Sequence, residues 1–480
     1  MLPWGIFYFF SFNQPTDRLF DMPTALSFPS DIHVNDWHKE LQYLKIVKDS
    51  LVEGELPFYV NNVNNIFNAD SDAFLAIPIY PLSIQSISLL ILDPMSFHIL
   101  NHLLFILIGF WGCYLIKNEY SLSFTSFLFI LVTFNFYGGF VAKMGAYGPA
   151  QLGYYFSPFI ILLLLKLSNK DNAVNQKDLY IWSIYLAMAL AAILFQGSLS
   201  IVLVPWVTFL VLWGIFNIKY IRFLLVAAVA TVGLTAVRLF PAAVSFGTQE
   251  NHRDVYGYGL NPEFFLQTFI SIRNILDHPV FSWWEYSNYI SLFGFLAIFY
   301  FCFINYILEK NVTVNIKPFV FPLIVLFVIS FHKIREFVIP DFVPLLNLES
   351  LTTRYMFIVC LFLVCIAGIN FDAFYKSIRA SSMRLLVHLM LGFHIGFLYL
   401  NVFQWPLQRT QAQLYLYGPE QELATSLALK RTILSINNSG VEAIYKYTFY
   451  FGLGLTALTI IVVLLFLIKK YAYSQNCQDA

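Results

Sequence analysis

The chain has 480 residues, of which 59% are hydrophobic and 12% are charged, whereas soluble domains carry about 25% charged residues. Its mean hydropathy is +0.68 and its formal net charge is zero. These values indicate a polytopic protein in a lipid bilayer and give no case for a nucleic-acid partner. The five cysteines show no metal-ligand spacing, and residues 1–12 lack the basic start and the cleavage site of a signal peptide.

A membrane helix needs about 20 apolar residues, and on this criterion the sequence predicts an all-α bundle of twelve transmembrane spans in a single domain, residues 1–480. The predicted spans are residues 1–12, 95–117, 121–138, 148–166, 179–196, 199–216, 221–241, 287–308, 318–332, 352–371, 385–405 and 446–468. Segment 74–92 is also apolar, but Pro78 and Pro81 interrupt it. We predict an interfacial or re-entrant helix there.

Lysine and arginine are concentrated in alternate short loops, which predicts a multi-pass protein with both termini in the cytoplasm. The loops on the other side are long and acidic. They cover residues 13–94, 242–286, 333–351 and 406–445. Because loops that exceed connection length are usually functional, we expect the chemistry on the extracytoplasmic face.

Residues 31–57 form the most charged part of the sequence, and within them residues 36–53 predict an amphipathic helix on the bilayer or on the bundle. Its apolar residues recur at spacings of three or four: Trp37, Leu41, Leu44, Val47 and Leu51. Asp36 is placed to N-cap this helix, and Gly54 is placed to end it. A capped surface helix with an ordinary charged face would explain Asp36 without any catalytic role.

Four local patterns carry a family resemblance. They are Asp36 followed by Gly54-Glu55-Leu56-Pro57-Phe58, the apolar run Ile77-Pro78-Ile79-Tyr80-Pro81-Leu82, the turn Asp93-Pro94-Met95-Ser96, and Pro344 to Asn347 ahead of Arg354-Tyr355. In this order the parts resemble the GT-C class of membrane glycosyltransferases, and more narrowly the bacterial YfhO-like or "6-pyruvoyl-tetrahydropterin synthase-related" membrane proteins. The chain departs from that family at Glu40, where many members have histidine, and in its short first helix.

The resemblance implies transfer of a sugar from a polyprenyl-phosphate donor to a glycolipid, glycan or protein acceptor, outside the plasma (inner) membrane. It implies that a carboxylate of the first outer loop, Asp36 or Glu40, is the catalytic base. An inverting transfer needs such a carboxylate to take the acceptor proton, and cations to hold the departing phosphate. Asp31 and Asp93 also lie on the predicted outer side.

Candidate substrate-binding residues are the cations on the predicted outer side and one adjacent aromatic residue: Lys143, Arg238, Lys333, Arg335, Arg354 and Tyr355. An arginine within an apolar run is a functional-site hypothesis, although Arg238 could instead extend to the interface. The others could equally be helix-end charges among lipid headgroups.

His98 and His102 stand four residues apart, a spacing that suits a metal, but no third ligand is evident. Polar packing at a helix end is the alternative. No cofactor is indicated, and a divalent metal ion is left open. The aromatic loops 251–265 and 278–289 could stack on a sugar or a prenyl chain, or form an interfacial belt.

Two other classes of function compete with the transferase. A transporter or flippase would place ionisable residues at mid-membrane and often show related halves, whereas the interiors of these spans are nearly free of charge. A non-catalytic subunit of a membrane assembly is compatible with every pattern above.

Overall fold

The computed structural model describes residues 3–5, 36–62, 74–76, 83–169, 176–246, 260, 262–272, 286–304, 307, 314, 316–331, 352–404 and 434–476. For residues 36–42 it describes the backbone but not the side chains. All statements below concern these parts of the chain.

The described chain is built from α-helices joined by short irregular segments. The helices are α1 Asp36–Glu53, α2 Pro94–Glu119, α3 Phe124–Asn135, α4 Gly138–Tyr147, α5 Ser157–Asn169, α6 Gln176–Phe195, α7 Val204–Phe216, α8 Ile221–Phe246, α9 Phe265–Ile270, α10 Ser291–Ile298, α11 Lys317–Ile329, α12 Met356–Ser377, α13 Ser381–Gln404 and α14 Ala443–Asn476. Strands β1 Val60–Asn62 and β2 Leu434–Ile436 form one antiparallel pair, with Asn61 opposite Ser435.

Several of these helices are preceded or extended by 3-10 or π segments. The 3-10 segments are Phe74–Ala76, Ile84–Leu90, Gly148–Phe156, Ile218–Tyr220, Pro262–Phe264 and Thr352–Tyr355, and the π segments are Leu199–Leu203 and Phe299–Ile304. Within segment 74–92, where we predicted one interfacial or re-entrant helix, the described parts are therefore two short 3-10 segments. Pro78 and Pro81 lie outside the described residues.

The predicted all-α helical bundle is confirmed. Among the described residues, seven helices are long and apolar enough to cross a membrane, and four shorter apolar helices accompany them. These eleven helices coincide with the predicted spans from 95–117 to 446–468. Of the first predicted span, residues 3–5 are described; they are helical, with Trp4 buried. The total of twelve crossings stays a prediction.

Ion pairs and hydrogen bonds join alternate helix ends on one side of the bundle. Lys166 of α5 pairs with Glu119 at the end of α2. Asp372 of α12 pairs with Lys376 at 2.6 Å and accepts a hydrogen bond of 2.7 Å from the Ser123 N–H before α3. We call this side the basic end, and the opposite side, where α2 begins after Asp93, the Asp93 end. The residues predicted to face the cytoplasm lie at the basic end.

Helix α1 packs on the bundle through its second half. Tyr43, Leu44, Ile46 and Val47 are buried in a cluster that also contains residues from the starts of α2 and α14 and from β1. Gly54 has a φ of +68°, which favours glycine and ends the helix as predicted. The helix over 36–53 is therefore confirmed, and its described second half packs on protein along the face of Tyr43, Leu44 and Val47.

The strand pair ties the segment after α1 to the segment before α14. The Asn438 amide donates to Glu55 at 2.6 Å and to the Leu56 carbonyl at 2.7 Å. Its side-chain oxygen accepts from the Tyr59 N–H at 3.1 Å. These bonds hold α1 against the bundle from its carboxyl-terminal side.

Helices α8 and α14 approach closely at Gly452. A Cβ atom added there would lie 2.5 Å from the Ala236 carbonyl oxygen and 3.0 Å from the Val237 Cα, whereas one added at Gly454 would meet nothing within 4 Å. Backbone atoms cannot rotate away, so the two helices would have to separate.

We therefore expect Gly452→Ala to lower the stability of the protein in detergent by about 1–3 kcal/mol, measured as an earlier thermal unfolding transition. Gly454→Ala is the matched control on the same helix. It should leave stability unchanged or raise it by about 1 kcal/mol through helix propensity. Equal effects of the two changes would contradict the observed packing.

Candidate functional site

A cavity opens toward the Asp93 end of the bundle. Its space of about 340 Å³ includes the open region in front of its mouth. It is lined by Tyr137, Gly139, Phe140, Lys143, Gln151, Tyr154, Ile201, Val202, Asn288, Thr353, Arg354 and Phe357. These residues come from five separate segments of the chain, so the cavity exists only in the folded bundle.

The lining comes largely from places where α-helices are interrupted. The break between α3 and α4, the 3-10 segments Gly148–Phe156 and Thr352–Tyr355, and the π segment Leu199–Leu203 all contribute. Non-α segments expose backbone groups, which must find partners inside the protein at membrane depth. The Gly153 N–H, for example, donates to the Ser198 hydroxyl at 3.0 Å.

Asn288 is fixed in the wall by a set of hydrogen bonds. The Tyr137 hydroxyl donates to its side-chain oxygen, and its amide donates to the Tyr286 carbonyl at 3.1 Å. Its backbone N–H donates to the Thr268 carbonyl at 3.0 Å. Both the oxygen and the nitrogen of the Asn288 side chain therefore have protein partners, and these bonds hold the cavity wall in position.

A stack of aromatic rings forms another part of the wall. The Tyr154 ring lies parallel to Phe140, with centroids 4.4 Å apart, and to Phe134 at 4.7 Å. The Tyr154 hydroxyl donates to the Phe134 carbonyl at 2.8 Å, a group that the end of α3 leaves without an intrahelical partner. The stack is thereby locked in place and offers an apolar surface beside the polar part of the cavity.

The polar part contains two cations and two polar side chains. Lys143 and Arg354 are buried, with 7% and 8% of their surface exposed, and they are the charged groups among the described lining residues. Gln151 and Thr353 are buried more completely. Within the described part of the chain, neither the Gln151 Oε1 nor the Thr353 Oγ1 has a hydrogen-bond partner. Buried polar atoms of this kind are costly unless a ligand or water satisfies them.

Of the six candidate substrate-binding residues, the fold brings Lys143 and Arg354 together although 211 positions separate them in the sequence. Tyr355 is fully buried next to Arg354 but is not among the described lining residues. Arg238 is completely buried in α8, so it does not extend to the interface, and it too is absent from the described lining. Lys333 and Arg335 lie outside the described residues.

The two predicted catalytic carboxylates belong to α1, in which Asp36 is the first helical residue and Glu40 follows one turn later. The side chains of both residues lie outside the described part of the structure. The helix itself packs against α4, which carries Lys143, and against the 3-10 segment that carries Gln151. Helix α1 is thus a direct neighbour of two segments that line the cavity.

His98 and His102 are buried on α2, behind the aromatic wall. The His102 Nε2 lies 2.9 Å from the Tyr155 hydroxyl, and the two imidazole rings are 6.3 Å apart. No group of three possible metal ligands occurs among the described residues. What the described residues show at this position is polar packing.

Asp93, the other described candidate base, caps α2. Its Oδ1 accepts hydrogen bonds of 3.0 Å from the N–H groups of Met95 and Ser96. Partial burial would raise the pKa of this carboxyl, but the bonds from Ser96 and Met95 outweigh it and hold the pKa below its usual value. This capping explains an aspartate at position 93 without any catalytic role.

Four polar residues of the cavity were not predicted as site residues from the sequence: Gln151, Thr353, Tyr137 and Asn288. Each lies at the end of an apolar run, where a polar residue can be a cap, an interfacial group or a site residue. Thr353 precedes Arg354 directly, and Gln151 follows Lys143 by eight positions, so proximity to a candidate cation was the available signal.

No family model matches this sequence, and no curated protein and no solved structure is significantly similar to it.

We expect Asp93→Ala to lower the free energy of unfolding by about 1 kcal/mol, because α2 loses its N-cap. Asp93→Asn should be nearly neutral at pH 7, since asparagine caps as well. Because folding lowers the pKa of Asp93, the contribution of its charge is present above the ordinary pKa of 3.8 and is lost as pH falls through the lowered value. Denaturant melts of the three proteins at two pH values check this; a large effect of Asp93→Asn at pH 7 would contradict it.

Proposed function

We propose that the protein is a membrane glycosyltransferase of GT-C type, which moves a sugar from a polyprenyl-phosphate donor to an acceptor at the Asp93 end of the bundle. The observation that carries the proposal is the meeting of Lys143 and Arg354 in one cavity with the buried polar atoms of Gln151 and Thr353. Cations that converge on a partly apolar cavity suit a phosphate attached to a lipid.

In this proposal the phosphate lies at Lys143 and Arg354. As the bond between the anomeric carbon and the phosphate oxygen breaks, negative charge grows on the phosphate, and fixed cations stabilise it more in the transition state than in the ground state. A guanidinium can bind two phosphate oxygens at once, whereas the lysine acts as a point charge.

The sugar would occupy the space between the cations and the aromatic wall. Gln151 and Thr353 supply buried hydrogen-bonding atoms for its hydroxyl groups, and the Tyr154 and Phe140 rings supply an apolar surface for a ring face. The Asn288 amide is already engaged by its neighbours, so its contribution would be to hold the wall in position.

The acceptor hydroxyl would attack the anomeric carbon while a carboxylate of α1 takes its proton. Asp36 and Glu40 are the candidates, and the packing of α1 against the segments of Lys143 and Gln151 supports this assignment. The new bond joins the acceptor oxygen to the anomeric carbon, and polyprenyl phosphate leaves with the electron pair of the broken bond.

A transporter or flippase would hold its charged solute near the middle of the membrane, between two related halves. The described cations of this cavity instead lie toward one end of the bundle, beside breaks in the helices. That location favours chemistry at one membrane face.

The test is binding of a polyprenyl monophosphate to the full chain in nanodiscs, followed by native mass spectrometry, with the uncharged polyprenol as the matched ligand. We expect Arg354→Gln and Lys143→Gln each to weaken phosphate binding by about 1.5–3 kcal/mol, or about 10- to 100-fold. Polyprenol binding should not change. Lys117→Gln, at the basic end, is the control variant.

The same preparations separate binding from turnover. Asp36→Asn should retain the phosphate ligand but lose release of polyprenyl phosphate from a lipid-linked sugar in vesicles, and Glu40→Gln distinguishes the two candidate bases. Wild-type affinity in both cation variants would remove the assigned site. Full turnover in both carboxylate variants would remove the assigned base.

A further inference from the structure

A second cavity lies at the basic end of the bundle, far from the one described above. It is open to the surface, and its space of about 350 Å³ includes the open region in front of its mouth. Five leucines of α5 and α6 line it, together with Trp182, Trp213 and Phe223. The lining is apolar and lies within the segments predicted to cross the membrane, which suits a hydrocarbon chain.

One polar group in this wall, the indole N–H of Trp213, has no hydrogen-bond partner among the described residues. Trp213 is fully buried and is held between the rings of Tyr220 at 5.2 Å and Phe319 at 6.4 Å, in nearly parallel planes. Within the described part of the chain, no acceptor lies within hydrogen-bonding distance of its indole N–H. Buried indole N–H groups usually have a partner, and the ester carbonyl of a lipid is an acceptor found at this depth.

Two cations stand beside the same cavity. The Lys219 ammonium lies 4.9 Å from the ring centroid of Tyr220, and the Arg222 guanidinium lies 4.7 Å from that of Phe223. Both rings line the cavity, while Lys219 and Arg222 are exposed at the surface. An apolar cavity with two cations at its edge matches a molecule that has an acyl chain and an anionic headgroup.

We propose that this cavity binds an anionic phospholipid of the surrounding bilayer, with one acyl chain inside, an ester carbonyl at Trp213 and the headgroup phosphate at Lys219 and Arg222. The site is independent of the proposed glycosyl transfer, since it lies at the other end of the bundle and shares no described lining residue with the first cavity.

The test uses Trp213 of the wall as its reporter. The full chain is reconstituted in phosphatidylcholine vesicles that contain a rising fraction of phosphatidylglycerol brominated on its acyl chain, which quenches tryptophan fluorescence on contact. The Trp213→Phe protein gives the background of the other tryptophans. We expect half-maximal quenching of Trp213 at a mole fraction roughly 10- to 30-fold lower for brominated phosphatidylglycerol than for brominated phosphatidylcholine.

Two pairs of variants separate the cavity from the surface charge. Lys219→Gln/Arg222→Gln should abolish the preference for the anionic lipid, whereas Lys117→Gln/Arg379→Gln, at the same end, should retain it. Ser183→Leu fills the cavity and should reduce quenching by both lipids. Among the described residues, the Ser183 hydroxyl bonds to the Leu179 carbonyl of its own helix, and Thr231→Leu, which removes the same kind of bond on α8, is its control.

Equal quenching by the two brominated lipids, or an unchanged preference in Lys219→Gln/Arg222→Gln, would overturn the proposal and identify the bound molecules as ordinary boundary lipid. Because Lys219 and Arg222 are exposed, their replacement should not disturb folding, and the result with this variant stays decisive even where Ser183→Leu destabilises the bundle.

Discussion

The constraint on which this structure depends is that backbone polar groups in a bilayer must find partners inside the protein. Continuous helices satisfy their own backbone hydrogen bonds, and most of the described chain consists of such helices. Where the helices break, between α3 and α4, at Gly148–Phe156 and at Leu199–Leu203, side chains and other backbone segments have to supply the missing partners. Ser198 does so for the Gly153 N–H, and Tyr154 for the Phe134 carbonyl.

The side chains that supply these hydrogen bonds lie toward one end of the bundle. The interrupted helices leave a cavity around them. The basic end is built differently. There, Lys166 of α5 pairs with Glu119 of α2, and Asp372 of α12 accepts a hydrogen bond from the Ser123 N–H before α3, so these contacts join neighbouring helix ends. The two ends of the bundle thus have different chemistry, and the large apolar core between them consists of packed aromatic and aliphatic side chains.

Hydropathy and spacing were sufficient to predict the helical bundle, the positions of the long apolar helices and the amphipathic helix over 36–53, because burial and lipid contact impose these patterns on consecutive residues. The cavity was not predictable in the same way. Lys143 and Arg354 were candidates on charge alone, but only the packing of the bundle joins them. Gln151 and Thr353 had no signal of their own, and the 3-10 and π breaks that position them depend on tertiary contacts. Arg238, a candidate because it stands within an apolar run, is buried in α8 and is not among the described lining residues of the cavity.

The most direct measurement is a cryo-electron microscopy structure of the full chain in a nanodisc with a polyprenyl phosphate bound. The account predicts phosphate density within about 3 Å of the Lys143 ammonium and the Arg354 guanidinium, with the carboxylate of Asp36 or Glu40 facing the same cavity. Phosphate bound elsewhere while this cavity stays empty, or a hydrophilic path that crosses the bundle through Arg238, would contradict it.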